Sequence, residues 1–105
     1  MRKKIKNQLL RLGITPNYAG YLYSTQAVLN VLDDEELLLN ITKGLYWDVA
    51  KCYNTTPFAV ERNIRTVVQV AWKQNPEELS RIACCELRKR PTAAQFIAII
   101  ASYFE

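Results

Sequence analysis

Histidine is absent from this chain, and glycine occurs only three times. The first absence removes the commonest general base, the Cys/His zinc patterns and every imidazole-based triad. The second leaves no glycine-rich loop to cradle a phosphate. No apolar run approaches a membrane span, since Leu37-Leu38-Leu39 is a short core segment. The basic start, Met1-Arg2-Lys3-Lys4-Ile5-Lys6, is interrupted by Asn7, Gln8 and Arg11 before a signal-peptide core can form. Cysteine is sparse as well: Cys52 stands alone, and Cys84 and Cys85 are adjacent. An odd set of this kind is unlike a secreted disulfide framework. A soluble, cytoplasmic protein with buried, inert thiols is therefore expected. No nucleophile–base pair stands out either, so neither an enzyme nor a metal or cofactor is expected.

What the chain does have is a core. Half of its 105 residues are hydrophobic, enough for one modest helical domain spanning 1–105 and too few for two. The formal charge of +4 suits a polyanion, although many small domains that bind nothing anionic are equally basic. Prolines and capping residues divide the chain into about six helices. Ile5, Leu9 and Leu12 share a face over residues 3 to 12, with Gly13 as a stop. Thr15-Pro16 offers a cap followed by proline at a first helical position, ahead of Tyr18, Tyr21, Leu22, Val28, Leu29 and Leu32. Asp33-Asp34-Glu35-Glu36 reads as a helix start that complements the helix dipole. Consecutive carboxylates cannot all face one ion, which argues against a metal site. Asn75-Pro76-Glu77-Glu78 and Thr92-Ala93-Ala94-Gln95 repeat the pattern of a cap with an acid or amide three residues on. Arg88-Lys89-Arg90-Pro91 reads as a loose basic connection. Nothing alternates with period two, so the fold class is all-α.

The central feature lies at about residues 45 to 73. Leu45, Val49, Ala50 and Tyr53 fall at helical spacing, with Trp47, Asp48 and Lys51 on the other side. Asn54-Thr55-Thr56-Pro57 then supplies a residue tolerant of the left-handed turn, a cap and a first-turn proline. A second helix over about 57 to 73 follows. This is the layout of a helix-turn-helix, whose second helix suits a DNA major groove.

On that second helix, Val60, Ile64, Val67, Val68 and Ala71 fall within an arc of roughly 100°. Phe58, Glu61, Arg62, Arg65 and Gln69 fall in an arc of similar width, roughly opposite. The first arc suits burial, and the small Ala50 suits a close helix crossing. The second has the chemistry of a base reader. An arginine fork can donate two hydrogen bonds to guanine O6 and N7, and a glutamate can accept from a cytosine amino group while repelling phosphate. Phe58 could contact a thymine methyl or simply cover the helix start. The plain alternative is that Glu61 and Arg65, at i and i+4, form only a solvated ion pair. The tyrosines and tryptophans could likewise stack single strands, but most stand at core spacing.

The chain resembles the C-terminal DNA-binding domain of the master sporulation response regulator of endospore-forming bacteria. The resemblance rests on Gly20-Tyr21-Leu22-Tyr23, Ile41-Thr42-Lys43-Gly44-Leu45-Tyr46, Val49-Ala50-Lys51, Asn54-Thr55-Thr56, Val60-Glu61-Arg62, Ile64-Arg65, Val70-Ala71-Trp72 and Pro91-Thr92 with Phe96-Ile97-Ala98. It implies a six-helix fold, binding to a short promoter box, and transcription control through RNA polymerase and its main sigma factor. It also implies that Glu61, Arg62 and Arg65 face the bases. The family's full regulator carries a receiver domain ahead of this one. None fits here, which leaves a stand-alone homologue or an excised fragment. Phe58 and Ala59 stand where the family usually has polar or basic side chains, and residues 73 to 90 look shorter than the family's segment.

The reading that follows is a double-stranded promoter DNA-binding regulator. Glu61, Arg62 and Arg65 are expected at the bases, and Phe58 and Gln69 at bases or backbone. Thr55, Thr56, Lys43, Lys51, Arg88, Lys89 and Arg90 are expected at phosphates. Two copies on adjacent boxes, as a homodimer on DNA, would strengthen the modest binding of one small module. The alternative is a protein-interaction module of the same fold that has lost promoter binding.

Overall fold

The computed structural model describes residues 1–105, and every regular element in it is helical. Six α-helices follow one another: α1 (Arg2–Arg11), α2 (Ala19–Asp33), α3 (Trp47–Cys52), α4 (Pro57–Gln74), α5 (Pro76–Ala83) and α6 (Ala93–Phe104). Between α2 and α3 the chain makes a short 3-10 helix over Glu35–Leu39 and a π turn over Ile41–Tyr46. The expected all-α fold of six helices is the one found.

Helix α2 sits in the middle, packed against α1, α4 and α6. Its most consequential residue is Gly20. A Cβ built there would lie 2.3 Å from the backbone oxygen of Asn63 and 2.8 Å from Val67 Cγ1, both on α4. Only a glycine lets the two helices approach this closely. Around that contact α4 buries Val60, Ile64, Val67, Val68 and Ala71, each with no exposed surface. Burying each of the four branched side chains contributes about 1.5–3 kcal/mol, far more than any surface contact of this helix. Ala50 of α3, 2% exposed, fits the crossing of α3 on α4 as expected.

Local chemistry sets most of the ends. Gly13 follows α1 at φ 92, a left-handed geometry suited to glycine. Thr56 Oγ1 accepts the Ala59 N–H at 3.0 Å to begin α4, with Pro57 in the first turn. Thr92 and Gln95 form a complete capping box at α6. At α5 the box is only half made. Asn75 Oδ1 accepts the Glu78 N–H, but the Glu78 carboxylate turns away to Gln8 at 2.7 Å and to Arg81 at 2.7 and 2.8 Å. Asn75 instead donates to the Arg11 carbonyl, tying the start of α5 to the end of α1.

Three expectations are corrected. Thr15 does not cap α2: its hydroxyl bonds the Asn17 side chain, residues 15 to 18 close a separate turn, and the helix begins at Ala19 after Tyr18. The acidic run does start a helix, with Asp34 Oδ1 accepting from the Glu36 N–H, but it is a 3-10 turn that ends at Asn40 and leaves Leu39 88% exposed. The cysteines are not buried. Cys52 lies at the exposed end of α3, and α5 terminates at Cys84 with φ 59, which carries Cys84 and Cys85 out to solvent. Leu22 of α2 also faces outward, at 38% exposure.

Two stability predictions follow from these contacts. Gly20→Ala should lower unfolding free energy by about 2–3 kcal/mol or more, because the methyl meets backbone that cannot move alone. Gly44→Ala, whose added Cβ would find its nearest neighbours at 3.3 Å, should cost clearly less. Chemical denaturation of both variants checks the order. The second concerns Glu78, whose carboxyl is held down from 4.5 to about 2, chiefly by the hydrogen bond from Arg81 and against the opposing effect of burial. A depressed acid stabilises the fold above its ordinary pKa and loses that contribution as pH falls toward the folded value. Glu78→Gln should therefore cost roughly 1–2 kcal/mol at pH 7, allowing for solvent screening of the half-exposed arginine. The gap from wild type should close between about pH 4.5 and 2 in parallel denaturation curves.

Candidate nucleic-acid interface

The turn between α3 and α4 decides where the exposed face of α4 points. Asn54 takes the left-handed conformation at φ 52, and the Thr55 N–H donates to the Ala50 carbonyl at 3.0 Å. Asparagine tolerates this conformation because its short amide side chain can bond locally, so the turn is made without glycine. The chain then extends through Thr56, at φ −111 and ψ 153, and enters α4. With five side chains of α4 fully buried, the opposite side of the same helix must face outward.

That outward face carries Phe58, Arg62, Arg65, Thr66 and Gln69, all exposed, with Glu61 at its edge. No other segment of the chain covers them. Arg65 Nη1 lies 3.2 Å from Glu61 Oε1, with side chains 50% and 34% exposed. An i,i+4 pair this open contributes a few tenths of a kcal/mol to stability, so its main effect is to orient the arginine. The Arg62 guanidinium lies 5.7 Å from the centre of the Phe58 ring, which is itself 68% exposed. Thr66 Oγ1 donates to the Arg62 carbonyl at 3.1 Å. The face thus presents two guanidinium groups and one carboxylate, each arginine with its own neighbour on the helix.

Behind this face sits Tyr46, 3% exposed, at the end of the π turn. Burial, and secondarily the negative charge of Glu61, push its phenol up to about 12 from an ordinary 10. It therefore remains a neutral hydroxyl beside Glu61 at any physiological pH. Tyr46 was not singled out from sequence. Helical spacing already places Tyr46 on the same face as Val49, Ala50 and Tyr53, so its burial with Leu45 was within reach of the pattern.

The remaining candidates divide into two places. Lys43 and Lys51 are exposed on the π turn and on α3, next to the α3–α4 pair. Thr55 and Thr56 are in the turn itself, Thr56 with its oxygen accepting the helix cap and its hydroxyl proton still free to donate. Arg88, Lys89 and Arg90 are exposed elsewhere, along a groove of about 690 Å³ whose other lining includes Cys85, Leu87, Ala98 and Ile99. The connection holding them is less loose than expected, because the Leu87 N–H donates to Ser80 Oγ at 3.0 Å and Pro91 is buried. Trp47, 51% exposed on α3, faces away from the core, the side its spacing assigned it.

The coupling of Tyr46 to Glu61 is testable. Glu61→Gln removes the smaller of the two causes that raise the phenol, so the pKa of Tyr46 should fall below about 12 yet stay above 10. A spectrophotometric titration, with Tyr46→Phe to identify the transition, reads this. No change on removing the carboxylate would contradict the proximity of the two groups.

A helix-turn-helix with one aliphatic side sealed into the core and a basic, partly acidic side left open is the geometry of a DNA-binding element. No helix of the protein is long and apolar enough to cross a membrane. The model of the family described as Sporulation initiation factor Spo0A C terminal matches residues 5–104. The matched range runs through residues 73 to 90, where the resemblance read from sequence looked weakest. The chain belongs to this family of sporulation-factor C-terminal domains, a family of DNA-binding transcription-factor domains and not of enzymes.

Proposed function

We propose that the protein binds double-stranded promoter DNA in a sequence-specific manner, with α4 lying in the major groove. One observation carries the reading: the longest helix, the second of the helix-turn-helix, presents Arg62 and Arg65 on its exposed side, with the carboxylate of Glu61 paired to Arg65 at the edge. Arg62 and Arg65 read guanines through O6 and N7, and Glu61 reads a cytosine amino group or aligns Arg65. Phe58 and Gln69 lie within reach of bases or backbone on the same face. Thr55, Thr56, Lys43 and Lys51 set the register through phosphates, which carry no sequence information themselves. The start of α4 adds the positive end of an 18-residue helix to that phosphate contact.

Arg88, Lys89 and Arg90 have two uses in this reading. They add DNA backbone contacts, or they offer the groove beside them to an acidic protein segment, with RNA polymerase and its main sigma factor as the partners proposed. Two copies on neighbouring boxes would compensate for the small contact area of one domain. Three exposed, unpaired thiols fit a reducing cytoplasm, where they would stay free. A protein-interaction module without DNA binding is the second reading, supported by the same basic groove.

Affinity measurements on a duplex selected from a random pool test the proposal. Arg62→Ala and Arg65→Ala should each cost roughly 1–3 kcal/mol on the selected duplex and relax base preference at one position. Lys51→Ala should weaken selected and scrambled duplexes alike and reduce the salt slope by about one. Equal losses on selected and scrambled DNA for both arginine variants would overturn base reading. A salt-insensitive complex with a protein partner, with no duplex bound, would favour the second reading.

A further inference from the structure

Phe58 is the most exposed aromatic side chain of the molecule, and it stands in the first turn of α4, where a polar residue would cost nothing. It is not idle there. Its ring carries the Arg62 guanidinium 5.7 Å from its centre, one helical turn further along the same face. Phe58 and Arg62 therefore form one unit, with one side of the ring against a cation and its remaining exposed surface apolar. Arg65 is held differently, by the carboxylate of Glu61 at 3.2 Å. The two arginines thus have separate orienting partners, one anionic and one aromatic. A carboxylate partner competes with a base for the arginine's donors. A ring face leaves the planar edge of the guanidinium, and its fork of N–H groups, free to donate.

We infer that Phe58 is a positioning and specificity-determining residue that makes α4 select a guanine with a thymine on the neighbouring base pair. This rests on the DNA-binding reading above and deepens it. Arg62 supplies the bidentate donors for guanine O6 and N7, and the Phe58 ring holds it in the orientation that offers them. The rest of the ring, 68% exposed in the free protein, covers the thymine C5-methyl, the one apolar group a base pair shows in the major groove. The guanidinium and the ring centre lie 5.7 Å apart, more than the roughly 3.4 Å between successive bases, so the two groups serve different, nearby base pairs and not the same one. Burial of one methyl against a ring is worth a several-fold change in affinity, which sets the expected size of the effect.

Uracil differs from thymine only by that methyl, which makes the test specific. On the selected duplex, each thymine is replaced in turn by uracil, and binding of the full chain is measured for the wild type and for Phe58→Ala, Phe58→Leu and Phe58→Tyr. One thymine beside the guanine that Arg62 reads should matter. Losing its methyl should weaken the wild type about 3- to 5-fold and leave Phe58→Ala unaffected. Phe58→Tyr, which keeps the ring face, should retain both the methyl dependence and the guanine preference. Phe58→Leu should keep part of the methyl dependence and lose part of the guanine preference. Phe58→Ala combined with Arg62→Ala should bind more weakly than Arg62→Ala alone only by the methyl contribution, about 3- to 5-fold, because the rest of the ring's effect passes through the arginine. The ring is outside the core, so all four proteins should melt alike. Specific binding in which no uracil substitution matters would overturn the inference while leaving the DNA reading intact. So would full multiplicativity of the Phe58 and Arg62 losses. A wild type that distinguishes no duplex would overturn the reading and the inference together.

Discussion

The close approach of α2 to α4 at Gly20 governs the geometry of everything outside it. A backbone oxygen of α4 occupies the space in which any side chain at residue 20 would begin. With the two helices locked at that distance, α4 cannot roll about its axis without pulling Val60, Ile64, Val67, Val68 and Ala71 out of the core. The aliphatic burial supplies the energy, and the glycine sets the separation. The outward face of α4 is what remains once those two constraints are met. Its direction is a consequence of packing and not of any interaction on the face itself.

That division explains why the exposed residues can be chosen for recognition. The Glu61–Arg65 ion pair and the Arg62–Phe58 contact are too open to matter much for stability. What they change is the freedom of two long side chains. Ordering such a side chain on binding costs roughly 0.5–1.5 kcal/mol, and part of that cost is already met when the guanidinium rests against a partner on its own helix. A net charge of +4 over the whole chain is modest, so affinity for DNA in general should be low and discrimination correspondingly more important.

The sequence was most legible where one period held over a long stretch. The two faces of α4 follow from helical spacing alone: all five residues assigned to its inner side are buried, and Arg62, Arg65, Phe58 and Gln69 are exposed. The Asn54-Thr55-Thr56-Pro57 turn was legible too, because left-handed geometry, capping and a fixed φ each select a residue type. Legibility failed where the backbone left regular geometry. The 3-10 and π turns between Glu35 and Tyr46 depart from α-helical geometry, which made the acidic run look like the start of an ordinary helix. The thiols were misjudged for a related reason: Cys84 leaves α5 in a conformation that asparagine or glycine would have announced and cysteine does not. Side-chain pairing was out of reach as well. Spacing brought Glu61 and Arg65 together, but nothing in it distinguished the Phe58–Arg62 contact from an unpaired ring, or turned Glu78 toward Gln8 and Arg81 in place of its own cap.

Guanine methylation interference tests the central claim most directly, because dimethyl sulfate modifies N7, the major-groove atom that an arginine fork would use. The account predicts that methylating particular guanines of the selected site excludes those molecules from the wild-type complex. It also predicts that Arg62→Ala and Arg65→Ala each lose sensitivity at a different one of them. A complex that tolerates methylation at every guanine, or interference patterns identical in wild type and both variants, would contradict a helix α4 that reads the major groove.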